Sequence, residues 1–107
     1  MIRHIVWWSL KDEANGKTAD ENAWDLLKAS SSLRAIPEML SLEVSRRVEE
    51  SSSVRAGLVL TTTHKNREDL ESYRNNPIHL QFAAKLNELV CSRNVIDFEF
   101  DPDTSGV

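Results

Sequence analysis

The sequence is short of the residues that mark several classes of protein. It has a single cysteine, Cys91, so no disulfide can form within the chain, and a reduced, cytoplasmic setting fits better than secretion. Its apolar runs fall short of the roughly 20 residues that a membrane-spanning helix needs. The start of the chain lacks a signal-peptide pattern. We therefore expect a cytoplasmic protein that has no membrane partner.

Glycines and metal-binding patterns are equally sparse. Gly16, Gly57 and Gly106 stand far apart, so the sequence contains no glycine-rich phosphate loop. It also contains neither a His-x-x-x-His nor a Cys-x-x-Cys spacing. The acidic side chains between Lys11 and Glu21 are typical of a solvated loop. We expect neither a metal ion nor a bound cofactor.

The charge balance is mildly acidic, with 13 Lys and Arg against 17 Asp and Glu. Proteins that bind nucleic acids usually carry a basic domain or stripe, so we expect no nucleic-acid partner. A chain of 107 residues fits a single domain. We place that domain at residues 1–101 and a polar C-terminal tail at residues 102–107.

The alternation of apolar and polar residues predicts four strands and two helical regions. Thr18 and Glu21 form a capping box at the start of the first helix, and the proline at position 37 ends that region. The predicted elements are a strand at 2–10, a helix at 18–35, strands at 39–48 and 56–64, helices at 67–75 and 77–91, and a strand at 94–100. This β-α-β-β-α-β order indicates a ferredoxin-like α+β fold with a four-stranded antiparallel sheet and both helical regions on one face.

The first strand is apolar on both of its faces. Ile5 and Trp7 alternate with Val6 and Trp8, although helices can cover one side only. The other side would expose a large apolar patch, and the simplest cover is the same surface of a second copy. We expect a homodimer that forms through the sheet as an α/β barrel. The alternative is a monomer in which one tryptophan covers a loop.

The segment from Tyr73 to His79 is the strongest candidate for chemistry. Asn76 is a good N-cap and Pro77 a preferred first helical residue, which places His79 in the first turn of a helix. The positive end of the helix dipole disfavours a charged imidazole there, so His79 could act as a general base. Tyr73 could anchor an oxygen nearby. The alternative is a surface histidine beside a tyrosine that packs on the sheet.

Three other residues have side chains that could take part in a site. His4 lies in the middle of an apolar strand and joins the site only if it faces the helices. His64 ends a strand and is expected in a loop. Cys91, near the predicted end of the last helix, is expected to be structural.

Several segments resemble the stress-responsive dimeric A/B-barrel (Dabb) family, and together they cover nearly the whole chain. They are residues 1–6 with 10–12, residues 36–44, residues 70–79 and residues 95–98. The sequence departs from the family pattern at Ser9, where a lysine is common, at Glu38, where glycine is usual, and at Asn76, which replaces a histidine. Trp7 and Trp8 are bulkier than the usual residues and could fill a pocket.

The resemblance implies a dimeric α+β barrel, and it leaves the activity open. Most members have no established function, whereas a plant member is a polyketide cyclase. In that enzyme the histidine matching His79 is the base, the tyrosine matching Tyr73 assists, and the histidine matching His4 lies in the pocket. Three hypotheses follow. In the first, the chain is a homodimer of unestablished activity with a pocket for a small apolar or aromatic ligand between the helices and the sheet. In the second, it is a small cyclase-like or lyase-like enzyme that uses His79 as the base and Tyr73 as the anchor. In the third, it is a heme-binding or oxygen-handling barrel.

Overall fold

The computed structural model describes residues 1–46, 51–53 and 56–103. Its elements in chain order are β1 (Ile2–Leu10), β2 (Glu13–Ala14), β3 (Lys17–Thr18), α1 (Ala19–Ala29), a 3-10 helix (Ser30–Ala35), β4 (Ser41–Ser45), β5 (Leu58–His64), α2 (Arg67–Asn75), α3 (Pro77–Asn87) and β6 (Val90–Glu99). The predicted strand residues 47 and 48, part of the turn after them, and residues 104–107 of the predicted tail lie outside the described ranges.

One four-stranded antiparallel sheet, in the order β4-β5-β1-β6, organises the fold. The central strand β1 sets the register, since His4 lies opposite Thr62 on one side and opposite Asp97 on the other. The helices pack on one face of this sheet. The predicted ferredoxin-like α+β fold is thereby confirmed. Within the described ranges, no helix is both long enough and apolar enough to cross a bilayer.

The first helical region is less regular than predicted. The capping box between Thr18 and Glu21 is present, and α1 begins directly after it. The chain tightens into a 3-10 helix at residue 30 because three consecutive serine hydroxyls donate to carbonyl groups three residues back, which competes with regular helical bonding. These bonds join Ser30 to Leu27, Ser31 to Lys28 and Ser32 to Ala29.

Several predicted boundaries were wrong. Helix α3 ends at Asn87, and Cys91 lies exposed on β6, because pairing with β1 extends that strand back to Val90. Leu40 falls within the strand predicted at 39–48, but it precedes β4 and is 58% exposed. The charged loop after β1 also contains a small hairpin made by β2 and β3.

The two faces of the sheet differ in what covers them. The inner face carries the even-numbered residues of β1 and packs against the helices. The core includes Ile2, Val6, Trp8, Leu26, Leu33, Leu58, Leu60, Phe82 and Leu86. The outer face carries the odd-numbered residues of β1, and no helix or strand in the described part of the chain packs over it. Ile96 and Phe98 on this face are 50% and 37% exposed.

Candidate ligand site between helices and sheet

The break between α2 and α3 positions the candidate tyrosine and one candidate histidine. Asn76 has extended backbone angles, and its side chain accepts a hydrogen bond from the Ile78 N–H at 2.9 Å. Pro77 has no N–H to donate, so it fits the first position of α3. Tyr73 therefore lies in the last turn of α2, and His79 lies in the first turn of α3 as predicted. Their ring centroids are 4.7 Å apart.

The helix break also fixes which nitrogen of His79 carries its hydrogen. In a continuous helix the Arg74 carbonyl would accept from residue 78, whose N–H instead binds Asn76. The carbonyl is therefore available to His79 Nδ1, which lies 3.0 Å away. Because a carbonyl only accepts, Nδ1 carries the hydrogen, and a neutral ring keeps its lone pair on Nε2.

A carboxylate orients His4 in the same way. His4 is 3% exposed, and its Nδ1 lies 2.5 Å from Oδ1 of Asp97, its direct partner on β6. The second carboxylate oxygen accepts from the Arg74 guanidinium at 2.7 Å. With Nδ1 donating to Asp97, a neutral His4 also keeps its lone pair on Nε2. Arg74 thus supports both histidines, one through its carbonyl and the other through its side chain.

His64 was predicted to be a loop residue, and that prediction was wrong. It is the last residue of β5 and is fully buried. Its Nδ1 donates to the Glu38 carbonyl, and its Nε2 accepts from the Thr62 hydroxyl, both at 2.8 Å. Its ring lies 4.8 Å from that of Tyr73. Both nitrogens are occupied, so His64 packs behind Tyr73 and supports it.

Burial sets the protonation of the site. It lowers the pKa of His4, His64 and His79, and for His4 the opposing effect of Asp97 does not reverse this. Burial also raises the pKa of the Tyr73 phenol far above its usual value. At neutral pH the site therefore holds uncharged imidazoles, which can accept hydrogen bonds, beside a protonated phenol, which can donate one.

His4, Tyr73 and His79 line a cavity of about 130 Å³ between the helices and the sheet. An apolar cavity of about 150 Å³ holds one benzene molecule, so this space suits a single ring or a branched chain of similar size. Trp8 closes part of it, whereas Trp7 lies on the outer face. Its polar lining is His4, Tyr73, His79, Asn87 and Arg93, and its apolar lining is Val6, Trp8, Leu60, Phe82, Ala83 and Leu86.

The cavity has unused polar atoms on its wall. Among the described residues, neither the Tyr73 hydroxyl nor the Nε2 atoms of His4 and His79 make a hydrogen bond, and Glu38 Oε2 is the one buried side-chain polar atom without a partner. The three lining atoms are consequently not sealed in protein, and they remain available to a ligand.

A larger surface cleft of about 710 Å³ lies at one end of the sheet, near Met1 and Lys65. It is wide open, and the ion pair between Arg67 and Glu99 lies on its wall. None of the predicted site residues lines it, so the smaller cavity is the better candidate. Across the described ranges, no three His, Cys, Asp or Glu side chains converge closely enough to hold a metal ion.

The structure brings together the three residues that the sequence proposed: His4, Tyr73 and His79. Sequence reasoning missed Asp97 and Arg74, although an aspartate between apolar residues of a strand was a signal that could have been followed. It missed Arg93 as well, because nothing in the sequence placed that residue opposite Trp8.

The comparisons with known proteins agree with this architecture. The family profile of the stress responsive A/B barrel domain matches residues 2–100, and the chain therefore belongs to this family. No curated protein matches the chain.

Three solved structures illustrate the fold. A dimeric ferredoxin-like protein of unknown function from Thermobifida fusca is 18% identical, with 92% of this chain and 90% of that chain covered and a TM-score of 0.78. A Dabb family protein from Mesorhizobium loti is 22% identical over 92% and 94%, with a TM-score of 0.73. A hydroxynitrile lyase from Passiflora edulis is 17% identical over 94% of each chain, with a TM-score of 0.77. At these identities the similarity establishes the fold alone.

Proposed function

We propose that this protein is a homodimer in which each protomer binds a compact small molecule in the cavity lined by His4, Tyr73 and His79. The observation that carries the proposal is the set of three unpaired polar atoms on the wall of a cavity that is otherwise lined mainly by apolar side chains. Pockets that bind small molecules typically combine apolar walls with a few polar groups that fix orientation. A ligand that covered these atoms without pairing them would lose free energy, whereas a ligand hydroxyl group can donate to a histidine Nε2 and accept from the Tyr73 hydroxyl.

The cavity size limits the ligand. About 130 Å³ admits one ring or an equivalent branched chain. A porphyrin contains four pyrrole rings, so this cavity does not favour the heme hypothesis. A long polyketide chain is also a poor fit, since Trp8 occupies part of the space. Benzyl alcohol is a suitable first probe because it combines one ring with one hydroxyl group.

Binding is tested by filling the cavity. Ala83 lines it, whereas its neighbour Ala84 is exposed on α3 and does not. We expect benzyl alcohol to shift the NMR signals of the Trp8 indole and the Ala83 methyl group. Ala83→Phe should abolish the shift of the Trp8 indole signal, and Ala84→Phe should leave both shifts unchanged. Binding that survives Ala83→Phe, or shifts confined to the protein surface, would contradict the proposal.

Self-association through the outer face of the sheet is supported by its apolar surface. Ile5, Trp7, Val59, Ile96 and Phe98 share this face and are only partly covered. A second copy placed on the same surface would bury all of them at once, and each Å² of apolar area removed from water contributes roughly 25 cal/mol. The Thermobifida fusca protein is described as dimeric, which supports self-association.

Proton transfer is the second candidate function, favoured by the neutral His79 beside Tyr73. In this scheme His79 Nε2 removes a proton from a carbon next to a carbonyl group. The electrons of the C–H bond form an enolate, and the Tyr73 hydroxyl donates a hydrogen bond to its oxygen. His4 supplies a further polar contact, and the hydroxynitrile lyase from Passiflora edulis shows that an enzyme can have this fold.

Exchange of carbon-bound hydrogen tests this second candidate directly. Acetophenone in D₂O should lose its methyl protons faster with the protein than in buffer, and His79→Gln should slow the catalysed rate about 100-fold. Lys85→Gln, on the exposed part of the same helix, is the control and should leave the rate unchanged. Exchange at the buffer rate with the unmodified protein would leave ligand binding as the better account.

A further inference from the structure

Arg93 places a positive charge at the cavity. It lies on β6 directly opposite Trp8, so its side chain projects from the inner face of the sheet. It is exposed along the edge strand and also lines the cavity, together with Asn87 at the end of α3. Arg93 therefore contacts both the solvent at the edge of the sheet and the cavity beside Trp8.

The charge of Arg93 has no partner within the described part of the chain. Three other arginines pair with carboxylates, Arg46 with Asp20, Arg67 with Glu99, and Arg74 with Asp97, while Arg3 lies over the Phe100 ring and Arg34 donates to the Leu42 carbonyl. Arg93 donates to no carboxylate and to no carbonyl among the described residues. Its charge reaches the site, since it is one of the groups that lower the pKa of His4 and His79.

The two ends of the cavity thus offer different chemistry. At one end neutral histidines and a phenol can bind an uncharged oxygen, and at the other a free guanidinium can bind an anion. Apolar side chains such as Val6, Leu60, Phe82 and Leu86 lie between them. A molecule that carries an acidic group on a compact apolar body matches the guanidinium and the apolar side chains beside it.

We propose that the natural ligand of this cavity is a compact monocarboxylate, with its carboxylate on Arg93 and its ring or branched chain between the helices and the sheet. The planar guanidinium presents parallel N–H groups that match the two oxygens of a carboxylate. Asn87 adds an amide donor at the same end. The inference rests on the proposed small-molecule function, and it adds the charge and the orientation of the ligand.

The test compares two probes of equal shape. Benzoate and benzamide differ mainly in charge, and their affinities are measured by NMR titration of the Trp8 indole signal. The unmodified protein should bind benzoate about tenfold more tightly than benzamide, as expected for a hydrogen bond to a charged group. Arg93→Gln should weaken benzoate binding about tenfold and so remove this preference, whereas Arg93→Lys should retain part of it.

Lys85→Gln is the matched control because it removes one positive charge from an exposed position on α3 that does not line the cavity. It should keep the preference for benzoate. Equal affinities for the two probes in the unmodified protein, or a benzoate preference that survives Arg93→Gln, would overturn the carboxylate assignment alone. Failure of both probes to shift the Trp8 signal would overturn the small-molecule function and the carboxylate assignment together.

Discussion

The two faces of the central sheet each depart at some residues from the usual arrangement of polar and apolar groups. Trp7 and Trp8 are neighbours in sequence, yet one lies on the outer face and the other closes a cavity on the inner face. The inner face buries polar residues, including His4, Thr62 and His64, whereas the outer face exposes Ile96 and other apolar residues. Stability alone would favour the opposite distribution. The difference is the one that the two proposed functions require, ligand binding on the inner face and self-association through the outer face.

The largest expected effect is a loss of dimer affinity when the outer face of the sheet is disrupted. Trp7→Glu would place a charge in the apolar contact between two copies, and we expect dimer affinity to fall at least about 1,000-fold. Light scattering during gel filtration would then show a monomer. Trp24→Glu is the control, since Trp24 is 48% exposed on α1 and lies away from this face. A dimer that tolerates Trp7→Glu would show that the outer face is not the interface.

The second prediction compares the contributions of His64, which packs behind Tyr73, and His79, which lines the cavity, to the free energy of unfolding. His64→Leu would leave the buried Glu38 carbonyl and Thr62 hydroxyl without their partner, which should lower the free energy of unfolding by about 2–3 kcal/mol. His79→Leu removes one hydrogen bond near the surface and should cost less than about 1.5 kcal/mol. Urea denaturation measures both variants. A larger loss for His79→Leu would reverse the roles assigned to these two residues.

The pH dependence of stability tests whether the three histidines of the inner face are neutral in the folded protein. Because burial lowers the pKa of His4, His64 and His79 below the unfolded value of about 6.5, the unfolded chain binds protons first as the pH falls. The free energy of unfolding should therefore be highest above about pH 6.5 and decrease below it. Each histidine contributes a slope of at most about 1.4 kcal/mol per pH unit, until the pH passes its folded pKa. Stability that rises from pH 7 to pH 5.5 would contradict the buried neutral cluster.

The smallest expected effect concerns the carboxylate beside His4. Asp97 raises the pKa of His4 against the dominant effect of burial, so Asp97→Asn should lower that pKa further and leave the pKa of His64 nearly unchanged. NMR titration of the imidazole carbon-bound protons resolves the two residues. Asp25→Asn is the control, because Asp25 pairs with Lys17 on the surface. A pKa of His4 that stays constant in Asp97→Asn would remove Asp97 from the site.

The sequence predicted those parts of the structure that depend on local chemistry. The capping box at Thr18, the helix break at Asn76 and Pro77, and the first-turn position of His79 follow from neighbouring residues. The order of elements then predicted the sheet. The orientation of His4 depends instead on strand register, because Asp97 reaches it only through the pairing of β1 with β6.

Other features were missed for related physical reasons. His64 is buried, and its hydrogen bond to the Glu38 carbonyl joins residues far apart in sequence. Cys91 followed a helical pattern that strand pairing overrides. The charge of Arg93 became informative only when its position opposite Trp8 was known. Local rules therefore predicted the elements, whereas tertiary contacts decided which polar atoms remained free.

The most direct test of the ligand site is a long-range proton–nitrogen NMR correlation of the three imidazoles at pH 7, recorded with and without benzyl alcohol. We expect His4, His64 and His79 to be neutral with the hydrogen on Nδ1. Benzyl alcohol should shift the Nε2 signals of His4 and His79 and leave those of His64 unmoved, because both of its nitrogens already have partners. Charged imidazoles, or a ligand response confined to His64, would contradict the account.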